Sequence, residues 1–189
     1  MTVPGTFDTS ARELIHAGLQ NLDEARSLFR QLSASGFDAA RCGLLLDALQ
    51  HVCDPDVALR NLVDIVNAQV SQGRALDDIM PDDTAFRQLV AVLGVSDAMG
   101  KLMRFRPDLV QAAATDHCNS HLYNHDQRRA HVLESVGADP NDRMSPTATM
   151  DLADAATALR RTYRNQLAAI IAQDTMSDDP IALQPRISS

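Results

Sequence analysis

Tryptophan is absent, and all aromatic residues together make up 4% of the 189-residue chain. A core without large rings must be filled by Leu, Ala, Val, Ile and Met, the side chains that pack helix against helix. Lysine occurs once, as Lys101, so sixteen of the 17 basic residues are arginine. The formal net charge is −8 and the pI near 5.0. An acidic chain of this kind lacks the broad basic face that nucleic acid or an acidic membrane surface requires, so neither is expected as a partner. Only three cysteines are present, Cys42, Cys53 and Cys118, and none forms a C-x-x-C. Three thiols cannot all pair within one chain, which points to a reducing cytoplasm. No basic stretch followed by an apolar run opens the chain, so no signal peptide is expected. No run approaches ~18 uninterrupted apolar residues, so no membrane span is expected. No segment sustains period-two alternation, so no strand is expected.

What is present is helical spacing. Asp54-Pro55-Asp56 is the clearest helix start: Asp54 can cap, Pro55 suits the first helical position, and Asp56 places negative charge at the positive helix end. Behind it Ala58, Leu59, Leu62, Ile65, Val66 and Val70 form one apolar stripe, ended by Gly73. This reads as the central packing helix. Upstream, Ser10 with Glu13 and Asn21 with Glu24 form capping-box patterns, opening helices that carry Leu14, Ile15 and Leu19, then Ala25, Leu28, Phe29 and Leu32. Asp38 can cap a third, with Cys42, Leu45, Leu46 and Leu49 inward. Downstream, a helix after Pro81-Asp82-Asp83 buries Phe86, Leu89, Val90 and Leu93 and ends at Gly94. Ser96 caps the next, with Met99, Leu102 and Met103 buried, and Pro107-Asp108 breaks the chain before a short Leu109–Ala114 helix.

The last periodic segment is the longest, and Leu152, Ala155, Ala156, Leu159, Tyr163, Leu167, Ile170 and Ile171 keep its period. The expected fold is therefore all-α: a multi-helix antiparallel bundle over 10–114, a polar connector over 115–148 holding one short helix near 126–136, and one long C-terminal helix over 149–176 packed on the bundle, with no sheet. Residues 1–9 and 177–189 are expected to be disordered.

Candidate chemistry is sparse, and each motif has a plain structural alternative. His117-Cys118-x-x-His121-x-x-x-His125, with His131 beyond, offers metal-type ligands, but no cysteine pair or carboxylate motif completes the set, and an exposed polar loop explains it as well. The pairs Asp54/Asp56 and Asp82/Asp83 could hold Mg²⁺, yet both sit at helix starts, where Asp is expected as a cap. Arg160, Arg161 and Arg164 form one basic group and Lys101, Arg104 and Arg106 another; either could meet a phosphate or an acidic partner, or form a solvated face with intramolecular ion pairs. No Ser or Cys lies in a glycine-flanked elbow, and Gly94 and Gly100 flank a helix rather than forming a phosphate loop. No catalytic, cofactor-binding or metal residue is assigned.

Three segments in order carry a resemblance: Asp54-Pro-Asp-Val-Ala-Leu-Arg-Asn-Leu62; Leu93-Gly94-Val-Ser96-Asp-Ala-Met-Gly100 leading to Arg106-Pro107-Asp108; and Ala158-Leu159-Arg-Arg-Thr-Tyr163-Arg164 leading to Leu167, Ile170 and Asp174. Together, over roughly residues 10–176, the chain resembles the N-terminal helical region of bacterial glutamine synthetase adenylyltransferases, also called adenylyl-removing enzymes, in their actinobacterial form. The resemblance implies a much longer enzyme with two nucleotidyltransferase domains, ATP and Mg²⁺ as cofactors, and glutamine synthetase and the PII signalling protein as partners. It also implies a glycine-rich turn followed by Ser-Asp-x-Asp in each catalytic domain, placed after the equivalent of Asp174. Here Ser96-Asp97 is followed by Ala98-Met99, so that motif is missing and no catalytic residue carries over. The expected role is a helical scaffold piece, not catalytic alone, that packs beside the first nucleotidyltransferase domain. A stand-alone helical interaction module is the alternative, and a His-cluster metal-binding regulator a third. An apolar face left exposed on the long helix separates the first two, because the missing domain should cover it.

Overall fold

The computed structural model describes residues 9–114 and 125–176. They form α1 (Ala11–His16), α2 (Leu22–Ala34), α3 (Ala39–Leu49), α4 (Pro55–Ser71), α5 (Leu76–Ile79), α6 (Asp83–Val95), α7 (Asp97–Met103), α8 (Pro107–Ala114), α9 (His125–Ser135) and α10 (Leu152–Met176). No strand occurs among the described residues, and the fold is all-α as expected. Of the termini expected at 1–9 and 177–189, residues 1–8 and 177–189 lie outside the described residues, and Thr9, the first described, is buried.

The helix starts follow the local chemistry closely. Ser10 and Glu13 make a reciprocal capping box at α1, and Asn21, Asp38, Asp54, Asp82 and Ser96 each accept a backbone N–H at the start of a helix. Gly73 closes α4 at φ +77°, where its N–H meets Val70 O at 2.9 Å and the Arg74 N–H meets Gln69 O at 3.2 Å. These two bonds satisfy carbonyls that the helix end would otherwise leave unpaired.

One apolar core joins α1 to α4, α6 to α8 and the C-terminal half of α10, with Phe29, Leu45, Leu59, Leu62, Leu89, Leu93, Leu109, Ala168 and Ala172 among its members. The central position is shared between α4 and α6. Helix α6 packs against α3, α4, α7, α8 and α10, and is buried nearly all round, from Ala85 through Gly94. A second, smaller cluster of Val136, Ala138 and Ala155 sits between the α9 end and the start of α10. There Arg129 donates to the Pro140 and Asp142 carbonyls, both at 2.9 Å, and so holds the 136–151 loop against α9.

Several expected positions differ. On α4, Val70 is 38% exposed while Gln69 is 1% exposed, so the buried stripe turns toward Gln69 at its end. Ile15 and Leu102 are exposed, not inward. Gly94 does not end its helix: α6 runs to Val95, and a Cβ on Gly94 would lie 2.9 Å from Val52 Cβ and 3.3 Å from the Asp54 carbonyl. The glycine serves a close approach between α6 and the α3–α4 turn.

Candidate functional site

The structure brings together residues from the two basic groups. Helix α8 begins at Pro107, directly after Arg106, and α10 crosses it so that Arg106, Pro107, Asp108, Thr157, Arg160, Arg161 and Arg164 line one cleft of about 550 Å³. Asp108 is its organising group. Its carboxylate accepts two bonds from Arg106, Nε at 2.9 Å and Nη2 at 2.7 Å, and a third from Arg161 Nε at 3.0 Å. The Asp108 side chain is 18% exposed, and it lies in the first turn of α8, where the helix dipole also favours an anion. The Arg106 and then the Arg161 guanidinium hold its carboxyl down from 3.8 to about 2. The pair with Arg161 ties α8 to α10 across the chain.

This sets a testable pH dependence. Because the folded value lies below the unfolded one, the interaction stabilises fully above the unfolded value of 3.8 and is lost as pH falls toward 2. The full shift corresponds to at most about 2.5 kcal/mol; exposure of the Arg161 side chain reduces that to about 1–2 kcal/mol. Asp108→Asn should therefore lower the midpoint of thermal unfolding by about 3–6 °C near pH 7. The gap between the two proteins should close between about pH 4 and pH 2. A gap that stays constant across that window would show that Asp108 acts by shape and not by charge.

Arg160 and Arg164 stand apart. They are one helical turn apart on α10, facing the same cleft, and neither side chain has a hydrogen bond or ion pair among the described residues. The other basic group divides: Lys101 pairs with Asp97 at 2.7 Å along α7, and Arg104 pairs with Asp64 of α4 at 3.4 Å while lying 5.4 Å from the Phe105 ring centre. Only Arg106 turns toward α10.

The remaining candidates take structural places. Asp54 Oδ1 accepts Val57 N–H at 3.0 Å, and Asp82 Oδ1 accepts Ala85 N–H at 2.8 Å. Asp56 accepts the backbone N–H groups of Gln20 and Asn21, at 3.0 and 3.3 Å, and so clasps the α1–α2 turn to the start of α4. His117, Cys118 and His121 lie outside the described residues. His125 opens α9 and His131 is exposed on it, and no group of three or more metal-type side chains forms among the described residues. Asp108 and Thr157 were not candidates from the sequence. The signal for Asp108 was its place two residues after Arg106, a spacing that allows the bidentate pair.

A different kind of surface lies beside the cleft. On α10, Leu152 is 87% exposed, Leu159 40% and Tyr163 64%. Their spacing of seven and four places them on one helix face. The expected inward stripe is thus split: Ala155, Thr162, Ala168 and Ala172 face the protein, while Leu152, Leu159 and Tyr163 face out. Small residues carry the packing because α10 lies close on α8 and α6.

Against known proteins, the chain is 62% identical over 182 residues to the bifunctional glutamine synthetase adenylyltransferase/adenylyl-removing enzyme of Bifidobacterium longum strain DJO10A, covering 96% of this chain and 17% of that enzyme. The enzyme of the same name from Bifidobacterium longum subsp. infantis is 60% identical over 183 residues, covering 97% of this chain and 17% of its own length. That of Leifsonia xyli subsp. xyli is 28% identical over 170 residues, or 89% of this chain. No protein-family model and no solved structure matches. The chain thus spans about one sixth of the length of the curated relatives it matches. By sequence this chain corresponds to a single region, about one sixth of the length, of the bifunctional glutamine synthetase adenylyltransferase/adenylyl-removing enzymes of Bifidobacterium.

Proposed function

We propose that this chain serves as the N-terminal helical scaffold of such an adenylyltransferase, working in the cytoplasm, and supplies no AMP-transfer chemistry of its own. The identity of 62% across nearly the whole chain carries this reading. Two further observations support it. The paired-Asp motif is missing, with Ala98-Met99 where Ser96-Asp97 would need to continue as x-Asp. The exposed stripe Leu152, Leu159 and Tyr163 is a surface that a neighbouring domain would cover. The occupant we assign to it is the nucleotidyltransferase domain that follows in the longer enzymes. ATP and Mg²⁺ would bind in that domain, and glutamine synthetase and PII would meet the assembled enzyme.

The test has two arms. Glutamine synthetase, ATP, Mg²⁺ and this chain are combined, and AMP on the synthetase is followed by mass; no change in either direction is expected. The chain is then titrated with the remaining part of the Bifidobacterium longum enzyme. Association is expected, and Leu152→Ser/Leu159→Ser/Tyr163→Ser should weaken it roughly tenfold or more with little loss of thermal stability. Turnover by the chain alone would refute the non-catalytic assignment. Equal binding by the triple variant would refute the docking face.

A further inference from the structure

We infer that the cleft between the start of α8 and the middle of α10 binds a polyphosphate anion, gripped by Arg160 and Arg164 and flanked by Arg106 and Arg161. The inference stands on the cleft alone and does not depend on the docking face. Among the described residues, four guanidiniums and one carboxylate line the space, an excess of three positive charges. That excess sits in a chain whose formal net charge is −8. Asp108 already satisfies Arg106 and Arg161, which shows that the planar forks in this cleft accept oxyanion geometry. Arg160 and Arg164 are like charges at i and i+4, an arrangement that weakens a helix unless an anion bridges them. No acidic residue stands three or four positions from either one along α10. The positive end of α8 adds to the field, since Pro107 and Asp108 line the same space.

The charge selects the ligand class. A single carboxylate would leave most of the excess uncompensated, whereas a chain of two or three phosphates matches it. An acidic protein segment fits less well, because beyond charge it would find few apolar side chains: among the described residues that line the cleft, Pro107 alone is apolar. The volume of about 550 Å³ accommodates three phosphates with room for a nucleoside beyond them.

The probe is inorganic tripolyphosphate, titrated calorimetrically into the full chain at low ionic strength and without divalent metal. One-to-one saturable binding is expected, weakened about tenfold or more by Arg160→Gln/Arg164→Gln. Arg30→Gln/Arg74→Gln removes the same charge from exposed positions elsewhere and should change affinity less than about twofold, as general screening predicts. Both variants leave the Asp108 clamp intact, and a helical spectrum unchanged from the parent checks each fold. ATP supplies the second arm. Affinity equal to tripolyphosphate means that the phosphates alone are read; tighter binding means that a nucleoside is read too; both sustain the inference. It is overturned by absence of saturation, by equal weakening in the two double variants, or by hexaglutamate binding more tightly than tripolyphosphate, which would make the cleft a dock for an acidic protein segment.

Discussion

Gly100→Ala should destabilise the protein by about 2–3 kcal/mol, although alanine is the better helix former. Gly100 sits in the middle of α7 with ordinary helical backbone, so propensity alone predicts a gain of about 1 kcal/mol. The contact opposes it. A Cβ on Gly100 would fall 2.5 Å from Asn61 Nδ2 and 2.7 Å from Oδ1, with Cγ closer still. Asn61 is buried on α4 and cannot swing away freely, because its Nδ2 donates to the Leu93 carbonyl at 3.3 Å. That carbonyl belongs to the last turn of α6 and has no partner within its own helix. Moving Asn61 would add the cost of an unsatisfied buried group, about 1–3 kcal/mol, to an overpacking cost of similar size. Gly43→Ala is the matched control. Gly43 lies in α3, exposed, with nothing within 4 Å of a Cβ, so there propensity should win and stability rise by about 1 kcal/mol. Denaturant unfolding of both variants checks the opposite signs. A stabilised Gly100→Ala would mean that α7 and α4 do not approach as described. In Asn61→Ala, adding Gly100→Ala should cost about 1–2 kcal/mol less than in the parent, because the clashing amide is gone.

This junction shows where the sequence was legible and where it was not. Caps are local: Ser10, Asn21, Asp38, Asp54, Asp82 and Ser96 act within three residues, so their chemistry could be read along the chain. Gly94 and Gly100 looked like helix boundaries because glycine commonly stops a helix. Their actual reason, a neighbouring side chain in the Cβ position, comes from residues roughly forty positions away and leaves no local mark. Periodicity located α10 but not its buried side. Leu152, Leu159 and Tyr163 share a period with Ala155 and Ala156, and hydrophobicity alone pointed the larger side chains inward. Close packing on α8 reversed the preference in favour of Ala and Thr. The same distance problem hid the cleft. Arg106 and Arg161 were separate groups in the sequence, and only the crossing of α8 and α10 puts both on Asp108.

Leu89→Ala should cost about 3–5 kcal/mol and lower the thermal midpoint by about 10 °C, a larger effect than that of Gly100→Ala. Leu89 is fully buried on α6, the helix that touches both the α3–α4 side of the core and the α8–α10 side. Truncating it leaves a cavity that neither side can close, because α6 is fixed by its cap at Asp82 and by Gly94 against the α3–α4 turn. The consequence reaches the cleft. Leu109 and Val110 of α8 and Ala168 and Ala172 of α10 belong to the same core as Leu89, so the two helices that hold Asp108 and the arginines lose their support together. Unfolding should therefore remain a single transition. Circular dichroism would follow all helices, and thiol labelling would follow Cys42, which is buried on α3 and whose thiol is pushed up by desolvation and so resists reaction while folded. Coincident midpoints, both shifted down, are expected. If the helical signal fell in two steps, with Cys42 still protected after the first, α8 and α10 would be a separately folding layer. In that case the anion cleft could open without loss of the α1–α4 core, and tripolyphosphate would stabilise only the first step.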